Sequence, residues 1–160
     1  MPSVVLEAPV TAATVGTPAP WSVPPTYGQV DETVLAELRG IVGDQYVLVT
    51  DGDVEPYSRD ATPLMQAVPD AVVLPGTTEQ VAAVLRLATA RRIPVIPRGA
   101  GSNLSGATLA EFGGIVLALT RMRRIREVAP NELLAVVEPG VTTAELDVAA
   151  SAQGLLYAPD

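Results

Sequence analysis

The sequence contains no cysteine, no histidine and no lysine; all ten of its basic residues are arginine. Without cysteine, disulfides, thiol nucleophiles and thiolate metal sites are excluded. Without histidine, so are Ser-His-Asp hydrolysis, Cys-His proteolysis and imidazole-ligated metals. The missing lysine removes Schiff-base chemistry and the lysine of a P-loop. Charge is sparse too, at 18% of residues, and 18 acids against 10 arginines leave a net charge of −8. That balance opposes wrapping of nucleic acid. No apolar run is long, and stretches such as 113–119 fall far short of a bilayer span. Carboxylates, hydroxyls, backbone amides and arginine remain. If the chain takes part in an enzyme, a bound cofactor must therefore carry the reaction.

What is present is a foldable chain of 160 residues, 48% of them apolar, enough for one domain with a core. Residues 1–28 hold six of the fifteen prolines and a single charge, Glu7. Pro18-Ala-Pro-Trp-Ser-Val-Pro-Pro25 cannot sustain a helix or a central strand, so this stretch reads as a flexible Pro-rich tail. It does not read as a signal peptide, because no Lys or Arg precedes the short apolar run Val4-Val-Leu6.

Residues 29–69 read as a helix followed by an irregular segment. Val34, Leu35, Leu38, Ile41 and Val42 recur at helical spacing behind Asp31-Glu32, and Gly43 closes the pattern. Beyond it, Tyr46-Val-Leu-Val49 is the one extended candidate, and Asp51-Gly-Asp53-Val-Glu55 reads as a solvated acidic turn, lacking the other ligands of a calcium loop. From residue 70 the pattern is regular. Ala71–Leu74 is a short buried strand stopped by Pro75-Gly76. Thr77 caps a helix to about Arg92, with Gln80 in the capping-box position and Val81, Val84, Leu85 and Ala88 expected inside. Ile93–Ile96 is a second strand, so 71–96 forms a right-handed βαβ unit. Gly114–Leu119 is a buried strand, and Arg124–Val128 with Leu133–Val137 suggests a hairpin. Thr142 and Glu145 form a capping box for a further helix that Gly154 ends, and Leu155–Tyr157 starts one more extended piece. For the end of the chain, a natural terminus and an interrupted domain both stand as readings.

One segment carries chemistry. In Pro97-Arg98-Gly99-Ala100-Gly101-Ser102-Asn103-Leu104-Ser105-Gly106-Ala107, three glycines allow positive φ and close approach of a ligand. Successive amides in such a turn can bind an anion, and Ser102, Asn103, Ser105 and Arg98 add donors and a cation. The loop leaves the C-terminal end of a strand, where open α/β sheets bind ligands. It is neither a Walker loop nor a Rossmann GxGxxG. By itself it leaves two readings, an anion site and a structural turn.

Its surroundings narrow the choice. Tyr57-Ser-Arg-Asp60, Pro69-Asp-Ala-Val-Val-Leu-Pro75, Ile93–Gly106, Ala135-Val-Val-Glu-Pro-Gly-Val-Thr142 and Gly154-Leu-Leu-Tyr-Ala-Pro-Asp160 follow in order. Over roughly residues 31–160 this series resembles the FAD-binding domain of the vanillyl-alcohol oxidase/p-cresol methylhydroxylase (PCMH) flavoprotein family. Within that family it is most similar to FAD-linked 2-hydroxyacid dehydrogenases, such as the glycolate oxidase large subunit and D-lactate dehydrogenases. The resemblance implies an α+β fold, the first half of a PCMH-type FAD-binding domain over 70–160, with a small mixed sheet flanked by helices. It implies that the amides of Arg98, Gly99, Ala100, Gly101, Ser102, Asn103, Ser105 and Gly106 cradle the FAD pyrophosphate. Pro75 and Gly76 match positions lining the cofactor, Glu138-Pro139-Gly140-Val141 matches a turn touching it, and Pro159-Asp160 starts a segment approaching the flavin.

Some relatives link flavin through a histidine at the position of Ser102, so FAD here is expected to be non-covalent. The implied reaction is hydride removal from a 2-hydroxyacid substrate, with an external electron acceptor, in the cytoplasm and with no membrane span. The family's substrate-binding and proton-accepting residues have no counterpart here. The chain alone is therefore expected to be inactive, and Glu138 is expected to be structural. The arginines of Arg121-Met-Arg-Arg-Ile-Arg126 are expected to be solvated, with Glu127 nearby. Two other readings remain: a non-catalytic nucleotide-binding module, and an incomplete domain that binds nothing.

Overall fold

The computed structural model describes residues 26–158; the Pro-rich stretch as far as residue 25, Pro159 and Asp160 lie outside the described residues. Helix α1 (Glu32–Val42) starts where the Asp31 carboxylate accepts the Val34 N–H at 2.9 Å and ends at Gly43. It buries Val34, Leu35, Leu38 and Val42. The segment read as irregular holds a two-residue strand β1 (Val47–Leu48), a short helix α2 (Asp51–Val54) and a 3-10 turn over Glu55–Tyr57. Asp51 and Asp53 are exposed on α2, and the Thr50 hydroxyl donates to Asp53 at 2.6 Å.

Strand β2 (Ala71–Val73) leads into helix α3 (Thr78–Arg91), capped by the Thr77 hydroxyl. Two expectations need correction here. Gln80 does not complete a capping box; its side chain accepts the Gly76 N–H at 2.7 Å and donates to Ile41 O at 3.1 Å, tying α3 to α1. Leu85 is exposed, because the buried stripe of α3 runs through Val84 and Ala88. Strand β3 is Val95–Arg98, two residues later than expected. Ile93 serves the helix end instead: its N–H donates to Ala88 O and its side chain is buried in the core.

Strand β4 (Ile115–Ala118) is buried at every residue, as a strand paired on both sides requires. The sheet order is β1-β2-β4-β3, with β2, β4 and β3 parallel and β1 antiparallel. β4 thus lies between β2 and β3, the two parallel strands of the expected βαβ unit. β3 takes an edge, which tolerates Pro97. Side chains alternate across this sheet. Ala71, Val73, Ile115 and Leu117 pack with α1 and α3, whereas Val72, Val116 and Ala118 face Val54 and Ala110.

Strands β5 (Ile125–Ala129) and β6 (Leu134–Val137) form the expected hairpin, antiparallel and with an irregularity between Ile125 and Glu127. Helix α4 (Thr143–Ser151) follows with a complete capping box. Leu155–Tyr157, expected to start an extended piece, pairs with no strand among the described residues. These residues instead border an apolar cavity of about 460 Å³ between the hairpin and α4.

Glu145 in that capping box accepts the Thr142 N–H at 2.8 Å and the Thr142 hydroxyl at 2.9 Å, and pairs with Arg123. These bonds, led by the Thr142 backbone, hold its carboxyl down from the ordinary 4.5 to about 2. A depressed carboxylate stabilises the fold above its unfolded value and loses that contribution as protons bind. The melting temperature should therefore decline as pH falls from about 4.5 towards 2, and Glu145→Gln should flatten that decline. A pH series of thermal melts checks both.

Candidate functional site

Because β2, β4 and β3 are parallel, their C-terminal ends emerge at one edge of the sheet. Leu74-Pro75-Gly76, the loop after Arg98 and residues 119–122 all gather there. The turn after β6 joins them. Gly140 N–H donates to Met122 O at 2.8 Å, and a side chain on Gly140 would strike the backbone of Leu119 and Met122. A Cβ on Gly99 would stand 3.8 Å from Pro139 O. The structure thus brings together Pro75, Gly76, Arg98–Gly106 and Pro139–Val141; Pro159 and Asp160 lie outside the described residues.

Gly101 and Gly106 adopt φ of +72° and +68°. Among the described residues, none of the N–H groups of residues 99–105 donates a hydrogen bond within the protein. Beneath them lies Arg98, 7% exposed. A Cβ on Gly101 would fall on its guanidinium. The group donates to Thr108 Oγ1 at 3.3 Å and lies over the Tyr57 ring, 5.6 Å from the centroid. It takes part in none of the ion pairs among the described residues. A buried cation without a counter-ion is costly. With a row of free amides above it, the site has the donors and the charge to take a diphosphate.

Side chains from a distant segment hold the loop. Asp60 Oδ2 accepts from Asn103 Nδ2 at 2.6 Å and from Thr108 Oγ1 at 3.3 Å, while Oδ1 accepts the Thr62 N–H at 2.8 Å. Thr62 Oγ1 accepts the Gly106 N–H at 2.7 Å. Burial acts to raise the Asp60 carboxyl, but the bonds from Thr62, Asn103 and Thr108 outweigh it and leave the group below its ordinary value. Asn103 and Gly106 are therefore occupied as loop staples. Ser102 is exposed, and Ser105 meets Asn103 at 3.4 Å. Pro75 is fully buried and the Gly76 amide is taken by Gln80, so this turn lends shape more than donors.

Arg121, Arg123, Arg124 and Arg126 are exposed, as expected of solvated arginines, yet each also meets a partner in the protein. The hairpin register sets Arg124 and Arg126 beside Glu138, each at 3.2 Å, and Arg123 pairs with Glu145. Arg121 lies 3.3 Å from the Tyr46 ring centroid, donates to Leu74 O at 2.7 Å and covers Gly76. Glu138 is 5% exposed and accepts the Arg124 N–H at 2.9 Å. That bond, followed by the two guanidinium groups against opposing burial, holds its carboxyl below the usual range. It suits a structural anchor, not a base near neutral pH.

Sequence reasoning about the site missed Thr62 and Thr108, quoted Asp60 without a role, and placed Arg121 in the solvated run without its contact to the Leu74–Gly76 turn. The only local signal was Asp60-Ala-Thr62, a turn-forming pair inside an irregular stretch. A cavity of about 520 Å³ beside Tyr27, Asp70 and Gly113 lies at the opposite end of the strands. It is no part of this cluster.

A family model described as an FAD binding domain matches residues 69–160. The chain is 42% identical over 104 residues to glycolate oxidase subunit GlcD of Bacillus subtilis, covering 65% of this chain and 22% of that protein. It is 34% identical over 130 residues to D-2-hydroxyglutarate dehydrogenase of Stutzerimonas stutzeri, covering 81% of this chain and 28% of that one. The crystal structure of p-cresol methylhydroxylase with substrate bound superposes with a TM-score of 0.67 at 30% identity, over 76% of this chain and 24% of that one. The chain thus spans about a quarter of the length of the curated relatives it matches. Together with a cationic loop of free amides at the strand ends, these matches show that the chain belongs to the FAD-binding domain family, whose cofactor is FAD.

Proposed function

We propose that this chain is the pyrophosphate-holding portion of an FAD-linked oxidoreductase acting on 2-hydroxyacids of the glycolate and D-lactate kind. The observation that carries the reading is the row of amides at residues 99–105, without partners among the described residues, over the buried Arg98, which takes part in no ion pair among them. In it, those amides bind the diphosphate oxygens and Arg98 neutralises their charge. Pro75, Gly76 and Pro139–Val141 shape the walls, and Pro159 and Asp160 are assigned to the cofactor contacts by the family resemblance alone. The FAD-binding unit runs from residue 70, braced by residues 29–69 and preceded by a Pro-rich tail. Bound FAD supplies the acceptor for the hydride released when the hydroxyacid carbon is oxidised. An external acceptor then takes the electrons, and the reaction belongs to the cytoplasm. No helix among the described residues is long and apolar enough to cross a membrane.

Ser102 stands at the linkage position, and the chain has neither histidine nor cysteine. Flavin bound to the purified protein should therefore pass into the supernatant on acid precipitation; flavin fluorescence left on the polypeptide would contradict this. Dye reduction with glycolate or D-lactate, with FAD added to this chain alone, should not exceed that of free FAD. A cofactor held at one end is not oriented for transfer, and orientation contributes on the order of 7–11 kcal/mol to catalysis. Clear turnover above free FAD would place the catalytic groups within these residues and overturn that part of the reading.

A further inference from the structure

A carboxylate beside an anion-binding loop is electrostatically unfavourable unless it does something the loop requires. Asp60 reaches across 43 residues to Asn103 and 48 residues to Thr108. Through Thr62, which donates to it, the same turn also takes the Gly106 N–H, 44 residues from Thr62. The 60–62 turn therefore holds both the middle and the end of a loop whose amides at 99–105 have no partner among the described residues. Thr108 has a second role. Its hydroxyl accepts from Arg98 at 3.3 Å and stands at the same distance from Asp60, linking the buried cation to that carboxylate.

We infer that Asp60 is the positioning residue of the phosphate loop: through Asn103, Thr108 and Thr62 it shapes the row of amides before ligand arrives. The inference rests on the reading above that this loop holds the FAD pyrophosphate. Asp60 touches no ligand in it. Its carboxylate faces inward to side-chain donors, which leaves the amide N–H groups free for the phosphates. In a loop this rich in glycine, fixing the shape beforehand spares the ordering cost that binding would otherwise carry.

The test uses the full chain and two readouts. Backbone 15N order parameters of residues 99–105 are measured without ligand, and FAD affinity is measured by fluorescence titration. Asp60→Asn sets an amide against the Asn103 amide. It should lower the loop order parameters and weaken FAD binding by about tenfold or more. The exchanged pair, Asp60→Asn with Asn103→Asp, rebuilds the same bond with its ends reversed. It should restore loop order but not FAD affinity, because the carboxylate then sits within the anion loop. A purely structural role would restore both. Unchanged order parameters and affinity in Asp60→Asn would overturn the inference, as would an exchanged pair as mobile as the single variant. A wild-type chain that binds no FAD, with a loop that still responds to Asp60→Asn, would remove the functional reading and support the positioning role.

Discussion

Gly101→Val should weaken FAD binding by at least about 100-fold, or ~2.7 kcal/mol. Gly101 sits at φ +72°, where a β-branched residue is strained by roughly 1–3 kcal/mol. Its Cβ would also fall on the Arg98 guanidinium, so the new side chain displaces the one buried cation beneath the loop. Both effects act where the diphosphate is proposed to bind. Gly154→Val separates strain from site: Gly154 has a similar φ of +73°, yet a Cβ there meets nothing within 4 Å and lies beyond α4. That variant should lose some stability and keep its FAD affinity. Calorimetric titration of both decides the matter. Equal affinities in Gly101→Val and wild type would remove the loop from the binding site.

The largest loss of stability should come from Gly114→Val, at the base of the sheet. Gly114 has φ +86°, and a Cβ there would strike Pro94 O, the same atom that accepts the Ile115 N–H at 2.9 Å. Its carbonyl accepts from Asp70 N–H and Ala71 N–H, and its own N–H donates to the Asp70 carboxylate at 2.7 Å. One residue thus stitches together the starts of β2, β3 and β4. Backbone strain and lost ladder bonds together should cost at least ~3 kcal/mol, a large share of a typical domain's 5–15 kcal/mol. For a chain of this size the melting temperature should fall by roughly 10 °C, readable by circular dichroism. An unchanged melting temperature would mean that the strand bases are not coupled through this residue.

Much of the molecule follows from local patterns. Asp31, Thr77 and Thr142 cap helices as their side-chain chemistry requires, and the apolar runs at 71–74 and 114–119 become the buried parallel strands. The loop at 98–107 was legible because glycine and small polar residues act locally. What failed depended on partners far along the chain. Nothing in residues 71–96 shows that β4 will insert between β2 and β3, and Ile93 reads as strand until the end of α3 claims it. Leu155–Tyr157 has strand composition but pairs with no strand among the described residues. Glu138 could be set aside as structural from its turn, but its arginine partners depend on hairpin register. The Asp60 and Thr62 contacts cross more than 40 residues, and no periodicity encodes them.

In the proposed site the amides of residues 99–105, with Arg98, bind the pyrophosphate of FAD. Calorimetry with FAD, ADP and riboflavin on the same preparation tests this directly, since only the first two carry the diphosphate. The expected result is that FAD and ADP bind in competition, that riboflavin does not bind, and that Arg98→Met abolishes both interactions. Riboflavin binding as tightly as FAD, or FAD affinity unchanged in Arg98→Met, would contradict it.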